Sequence, residues 1–198
     1  VADGGDGTVS AALSRGFSPV IVDAHGPTGE PVRATYARKG SKAVIALAAV
    51  CGLEALPDGR LDPLGASTYG LGEVLRQAIE SGATEIVLGI GGSASTDGGA
   101  GMVQAIGARL LDSSGQEVRR GGLARDTLAA LDREPWDALM RAVSLRIASD
   151  VDNPLLGPRG AAAVFGPQKG ATAEQVFLLE ASLTRCGRRA RCFHLNSP

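Results

Sequence analysis

The stretch EIVLGIGGSASTDGGAGM, residues 85–102, joins an apolar run to a loop, and residues 91–102 of it hold five glycines. Residues 86–90 have the length and apolar character of a buried strand. Apolar residues then recur at helical spacing over residues 100–106. In open α/β sheets, ligands bind outside the carboxyl ends of the strands. The stretch therefore predicts a strand, a ligand-binding loop and a helix, in that order.

The segments on either side alternate between strand and helix patterns. Strands are predicted at residues 19–23, 32–36, 42–47, 109–112 and 143–148, and helices at 71–79 and 173–183. The first three strands, separated by short turns, predict an antiparallel meander. Alternation of strands and helices along the rest of the chain predicts an α/β fold with a mostly parallel sheet and flanking helices.

Composition excludes several functional classes. A net charge of −1 and 4% aromatic residues over 198 residues argue against a nucleic-acid partner. The longest apolar stretch, residues 43–53, is too short to span a bilayer. The two histidines are far apart, which argues against a zinc site. Three cysteines, an odd number, favour reduced thiols and a cytoplasmic protein.

The glycine-rich loop is the strongest candidate for a ligand site. Its glycines allow backbone N–H groups to converge into a nest that prefers an anion, and the helix that follows adds its positive end. Asp97 either caps that helix or meets a metal, with Thr96 as the alternative cap. A flexible connection to a capped helix is the competing interpretation. The predicted anion-binding residues are Gly91, Gly92, Ser93, Ser95, Thr96, Gly98 and Gly99.

Residues 89–94 also match the dinucleotide fingerprint G-x-G-x-x-A, and Asp112 follows Gly91 by 21 residues, near the ribose-binding position. The fingerprint requires the helix to open within the glycine run. Here five further residues lengthen the loop, so the match is weak. It keeps open the alternative of a non-catalytic nucleotide- or anion-binding module.

Two further loops carry acidic residues. VADGGDGT, residues 1–8, presents Asp3 and Asp6 to a metal or substrate hydroxyl, or forms a tight turn that caps a helix. SDVDNP, residues 149–154, offers carboxylates and an amide at the predicted end of a strand. These donors suit Mg²⁺ or substrate hydroxyls, and a run of Asx-turns is the alternative.

FGPQKGA, residues 165–171, places Lys169 among glycines, where it can neutralise a phosphate or lie on the surface as an ordinary solvated lysine. The chain contains neither a P-loop nor a protein-kinase catalytic loop. The remaining Gly, Asp and Ser loops without a histidine base suit phosphoryl transfer, in which positioning and charge neutralisation carry most of the catalysis.

Five motifs in the same order resemble the type 1 glycerate kinases over residues 1 to about 181. The motifs are ADGGDGT, STYGLGE, GIGGSASTDGGAGM, SDVDNPLLGPRGAA and FGPQKGA. The resemblance implies ATP-dependent phosphorylation of D-glycerate to a phosphoglycerate, typically the 2-phospho product, with Mg²⁺. It also implies two parts, one flavodoxin-like and one Rossmann-like, and this chain corresponds to the flavodoxin-like portion.

The chain also departs from the family pattern. Asp6 stands where the family has glutamate, and family loops of the kinds Pro-Asp-Ser-Phe-Lys-Gly and Gly-Glu-Gly-x-x-Asp-x-Gln are absent. We therefore expect a fragment, with a partial domain at residues 1–185 and an atypical tail at 186–198. A truncated, inactive kinase fragment is one of the alternatives.

The resemblance and the chemistry of the loops together suggest roles. Asp3 or Asp97 accepts the proton of the attacking hydroxyl, and Lys169 offsets charge on the transferred phosphoryl group. Asp150 and Asp152 hold Mg²⁺ or substrate hydroxyls. The remaining predicted substrate- or phosphate-binding residues are Asp6, Thr8, Asn153 and Gln168.

Overall fold

The structure, a computed structural model, describes residues 5, 7–123 and 127–192, with side chains as far as residue 187. In chain order, the first elements are α1 (Gly7–Leu13), β1 (Ser18–His25), β2 (Pro31–Lys39), β3 (Lys42–Ala46), α2 (Ala48–Cys51), α3 (Tyr69–Glu80) and β4 (Glu85–Gly89). They are followed by α4 (Ala100–Ala105), β5 (Arg109–Leu111), β6 (Ala130–Asp132), α5 (Glu134–Met140), β7 (Ser144–Ala148), α6 (Ala161–Phe165) and α7 (Ala173–Cys192). Short 3₁₀ turns are found at Leu53–Ala55, Pro57–Gly59 and Pro167–Lys169.

Five strands form one mixed sheet in the order β1-β2-β3-β4-β7. β1, β2 and β3 pair antiparallel, which confirms the predicted meander. β3, β4 and β7 pair parallel, joined by crossovers that contain helices. The predicted α/β class is confirmed, and its sheet divides evenly into parallel and antiparallel pairings. β5 and β6 form a separate antiparallel pair.

The main core lies between the sheet and α3. Leu71, Val74, Leu75 and Ala78 form the buried stripe that the helical spacing predicts, and they pack against strand residues that include Ile86. Apolar burial of this kind contributes about 25 cal/mol for each Å² removed from water. This core fixes the sheet on which the loops at its edge are mounted.

The parallel strands end together. Ala46, Gly89 and Ala148 are register partners, so the loops after β3, β4 and β7 emerge side by side at one edge. β7 is the last strand of the sheet, and its Ile147 side chain is 62% exposed. α7 runs without interruption across residue 185, where a domain boundary is predicted. That boundary stays a prediction.

Candidate active site

The glycine-rich loop, residues 90–99, follows β4 and is fixed to the neighbouring segment after β3. The backbone N–H of Leu53 donates to the carbonyl of Gly92 at 3.0 Å, and the N–H of Ala94 donates to the carbonyl of Cys51, also at 3.0 Å. Gly52 and Ser93 form an isolated β-bridge. These bonds give the loop one defined path across the sheet edge, so it is more than a flexible connection.

Asp97 attaches the same loop to the segment that precedes α3. Its carboxylate is 1% exposed and accepts bonds from the Thr68 N–H at 2.9 Å and the Thr68 hydroxyl at 2.9 Å. The Ser67 hydroxyl donates to it at 3.3 Å. The N–H groups of Gly99 and Gly101 donate at 3.0 and 3.1 Å. The carboxylate therefore holds two segments together that are about thirty residues apart in sequence.

The start of α4 differs in detail from the predicted capping. The N-cap is Gly99, with φ 81°, and neither Thr96 nor Asp97 occupies that position. Asp97 nevertheless binds the first N–H groups of the helix from two residues upstream of the cap. A Cβ atom on Gly101 would lie 2.2 Å from the Ser67 hydroxyl oxygen, so only glycine fits where α4 meets the start of α3.

Lys169, at the end of the 3₁₀ turn Pro167–Lys169, also contacts the loop. Its side chain is 8% exposed, and its Nζ donates a hydrogen bond to the Ser95 carbonyl. This burial excludes the interpretation of Lys169 as a solvated surface lysine. Burial also lowers the pKa of Lys169 from 10.5 to about 8, while the nearby Asp97 charge opposes that shift. Near neutral pH the buried ammonium therefore remains mostly protonated.

Four segments line a cavity of about 330 Å³ at the carboxyl edge of the sheet: the first motif, the glycine-rich loop, the loop after β7 and the segment that carries Lys169. Ser93, Asp150 and Lys169 all line it, so the predicted loops meet at one place. Its lining residues are Gly5, Ile90, Gly91, Gly92, Ser93, Ser149, Asp150, Val151, Phe165, Gln168 and Lys169. Gln168, Gly91 and Gly92 are among the predicted binding residues. Ile90, Val151 and Phe165 were not predicted, because a single apolar residue after a strand or at the end of a short helix carries no sequence signal.

The loop after β7 is exposed. Asp150 lines the cavity, whereas Asp152 and Asn153 are not among the lining residues. The Asn153 side chain instead donates to the Arg159 carbonyl at 3.0 Å and braces its own loop. The predicted carboxylate pair therefore contributes one side chain, Asp150, to the cavity.

Metal ligands within the described part of the chain are sparse. In that part, no three His, Cys, Asp or Glu side chains lie close enough together to hold a metal ion. Among the described residues, the donor set at the cavity is therefore the Asp150 carboxylate, the Gln168 amide, hydroxyl groups and backbone atoms. It fits Mg²⁺ bound chiefly through substrate phosphates, as is usual for this ion, and does not form an all-protein cage.

The first motif lies largely outside the described residues, including Asp3 and Asp6. Gly5 is described and lines the cavity, so the motif reaches the site. Thr8 is buried in α1, and its hydroxyl has no hydrogen-bond partner among the described residues. The Thr96 hydroxyl is also buried without a partner in that part of the structure, and Ser95, in the same loop, is buried too. Gly98 lies in the turn before α4 with φ 56°.

The two parts of the dinucleotide fingerprint, the glycine-rich loop and Asp112, do not meet at one site. Asp112 follows β5 in the two-stranded sheet and does not line the cavity. Its carboxylate caps a turn by accepting bonds from the N–H groups of Ser114 at 2.8 Å and Gln116 at 3.0 Å. The ribose-binding position of the fingerprint is therefore not present beside the glycine loop.

No helix in the described part of the chain combines the length and the apolarity needed to cross a membrane.

Comparison with known proteins agrees with this geometry. A model of the glycerate kinase family matches residues 1–195. A glycerate kinase from Bacillus subtilis (strain 168) is 48% identical over 187 residues, covering 93% of this chain and 49% of that protein. A glycerate 2-kinase from Escherichia coli (strain K12) is 45% identical over 190 residues, again covering 93% and 49%.

Among solved structures, a crystal structure from Salmonella typhimurium LT2 under the name glycerate kinase 2 superposes with a TM-score of 0.93. It is 46% identical, and the match covers 99% of this chain and 54% of that one. The chain thus spans about half the length of the curated relatives it matches. The family match along nearly the whole chain confirms the resemblance carried by the five motifs. The chain belongs to the glycerate kinase family.

Proposed function

We propose that this chain supplies the anion-binding and metal-binding loops for ATP-dependent phosphorylation of D-glycerate, with 2-phosphoglycerate as the product. The observation that carries the proposal is the cavity shared by the glycine-rich loop, the buried Lys169 and the exposed Asp150. Phosphoryl transfer requires these features, because its catalysis rests on positioning and on neutralisation of developing charge. The proposed setting is the cytoplasm.

The glycine-rich loop and Lys169 together form the anion-binding half of the site. Backbone at Gly91 and Gly92 lines the cavity, and Lys169 brings a positive charge to the same space. An anion bound there stabilises the protonated ammonium and raises its pKa again from about 8. This half of the site takes either a nucleotide phosphate or the glycerate carboxylate.

Asp150 forms the acidic half. Its carboxylate is exposed at the cavity wall and is the one member of the predicted metal pair that lines it. We assign it to Mg²⁺ or to a glycerate hydroxyl. In the first case Asp150 would hold Mg²⁺, and the ion would supply charge neutralisation of the phosphate.

Asp97 receives a positioning role in this proposal. Its carboxylate is buried and already accepts bonds from three backbone N–H groups and two hydroxyls. A group occupied in this way orients the loop and is poorly placed to take a proton from substrate. Asp3, which precedes the cavity-lining Gly5, remains the proposed proton acceptor.

A coupled assay of the purified chain with ATP, Mg²⁺ and D-glycerate tests the proposal. We expect ADP formation that depends on all three components, and phosphorus NMR of the product distinguishes 2-phosphoglycerate from 3-phosphoglycerate. Asp150→Ala should lower turnover. Asp23→Ala, at an exposed side chain of β1, is the matched control. Undiminished turnover in Asp150→Ala removes that residue from the mechanism.

Binding measurements separate the alternatives. Saturable ATP binding without turnover supports the non-catalytic anion-binding module, and absence of both supports an inactive fragment. Saturable NAD binding that is lost in Asp112→Ala supports the dinucleotide alternative. Each result is read from the same purified chain, so the three alternatives give different patterns.

A further inference from the structure

A second cavity, of about 500 Å³, lies beside the start of α3 and the loop after β5. It shares no lining residue with the cavity at the glycine-rich loop. A volume of this order is typical of small-molecule sites. Its lining residues are Tyr69, Gln104, Glu117, Val118, Arg119 and Arg120.

The wall of this second cavity carries excess positive charge. The single acidic side chain there, Glu117, lies 3.5 Å from the guanidinium of Arg109, which offsets its charge. Arg119 and Arg120 both line the cavity, and neither forms an ion pair with any residue that the structure describes. Guanidinium groups that form no ion pair with a described carboxylate favour an anion from solution.

The position of Arg120 is constrained by stacking. Its Cζ atom lies 3.1 Å from the centroid of the Tyr69 ring, so the guanidinium packs on the ring face. A guanidinium stacked in this way keeps its N–H donors at the edge of its plane, where they are available for a forked interaction. Stacking also reduces the entropy that the side chain loses when it binds a ligand.

Hydrogen bonds hold the floor of the second cavity in place. The Gln104 side-chain amide donates to the Val118 carbonyl at 3.1 Å, and the Val118 N–H donates to the Leu110 carbonyl at 2.8 Å. These bonds fix the segment that leads into Arg119 and Arg120 against α4 and β5. The two arginines thus project from a fixed backbone.

We propose that this second cavity binds the phosphate or carboxylate group of a small anion, held by the guanidiniums of Arg119 and Arg120, which both line it. Each guanidinium can form a bidentate, charge-assisted contact with such a group. The site is separate from the one proposed for catalysis, and the inference does not depend on that function.

Titration of the chain with inorganic phosphate and, separately, with succinate tests this inference by NMR. We expect saturable shifts of the Gln104 side-chain amide and of the Arg119 and Arg120 Nε–H signals. Amides of Gly91 and Gly92 report independently on the other cavity. Sodium chloride at matched ionic strength is the control for screening.

Variants define the groups responsible. Arg119→Gln and Arg120→Gln should each weaken binding about tenfold or more, as expected for loss of a charge-assisted contact. Arg33→Gln, an exposed arginine on β2, removes the same charge and should leave the affinity unchanged.

Each pattern of binding has a defined meaning. Phosphate binding alone indicates a phosphate ester as the ligand class, succinate alone indicates an organic acid, and binding of both indicates a general oxyanion site. The inference is overturned if neither anion gives saturable shifts at Gln104, or if both arginine variants retain the original affinity.

Discussion

The two loops that follow the parallel strands β4 and β7 start at the same sheet edge but differ in how they are held. The loop at residues 90–99 is tied down by backbone bonds, by the buried Asp97 and by Lys169. The loop at residues 149–154 is largely exposed, and its side-chain bonds stay close in sequence. The contrast suggests a division in which the first loop presents a fixed set of donors and the second offers a carboxylate free to exchange ligands.

The largest expected effect comes from Asp97→Asn. The amide keeps the size of the side chain but replaces an acceptor oxygen with a donor that faces other N–H groups. We expect the free energy of unfolding to fall by about 3 kcal/mol, since several buried donors lose a charged acceptor. Urea unfolding measures this change. Asp150→Asn makes the same chemical change on the exposed loop and should alter stability by no more than about 0.5 kcal/mol. Equal destabilisation by both variants would erase the distinction between the loops.

The next effect concerns catalytic turnover, in which Asp150 on the exposed loop is the residue that matters. Asp150→Asn should lower turnover of D-glycerate about a hundredfold, because the proposed metal or hydroxyl contact loses its charge. Steady-state kinetics at varied Mg²⁺ measures the change. Asp23→Asn, at an exposed side chain of β1, is the matched control and should retain the original rate. If Asp150→Asn retains full activity at all Mg²⁺ concentrations, the exposed loop does not contribute a catalytic ligand.

The pH dependence of Lys169 gives an intermediate effect. With a pKa of about 8 in the folded chain, Lys169 loses its charge as pH rises from 7 to 9. The affinity of the glycine-rich loop for sulfate, whose charge does not change in this range, should therefore be about tenfold weaker at pH 9 than at pH 7. Calorimetric titration at both values measures it. Lys169→Arg keeps the charge throughout this range, so its anion affinity should be the same at both pH values. If the affinity of the unaltered chain is also the same at both values, Lys169 does not take part in anion binding.

Lys169 also links stability to pH. The unfolded chain holds this proton up to about pH 10.5, whereas the folded chain releases it near pH 8. The unfolded state therefore binds more protons between those values, and the contribution of this group to the free energy of unfolding rises with pH over that window. Comparison with Lys169→Met isolates the contribution.

The smallest expected effect comes from two glycines with positive φ. Gly99, with φ 81°, caps α4 beside Asp97, and Gly157, with φ 93°, lies beyond the exposed loop. A Cβ atom at either position would meet nothing within 4 Å, so each alanine variant carries only backbone strain of about 1 kcal/mol. Thermal unfolding should show similar losses. Only Gly99→Ala should also weaken phosphate binding, and equal phosphate affinities in the two variants would contradict the role given to the glycine-rich loop.

The long elements of the fold were predictable because their local patterns agree with their environment. The stripe at Leu71, Val74 and Leu75 faces the core, as its spacing predicts. The short elements α2, α5, α6 and β6 were not predicted. Each has three to seven residues, too few for an apolar period to develop, and α5 has no buried residue at all. Such elements form because neighbouring structure fixes their ends.

The amino-acid sequence by itself determined the family, the α/β class and the positions of the loops that contain the candidate functional residues. Glycine-rich stretches, the ends of apolar runs and aspartate residues can be recognised locally in the sequence. The five motifs contain these features in the family's order. Only the tertiary structure decided the roles within those loops. It buried Asp97 and Lys169, brought Asp150 to the cavity without Asp152, and placed Arg120 on Tyr69. Burial and charge partners depend on residues distant in sequence, and these set whether a side chain holds the backbone or meets a ligand.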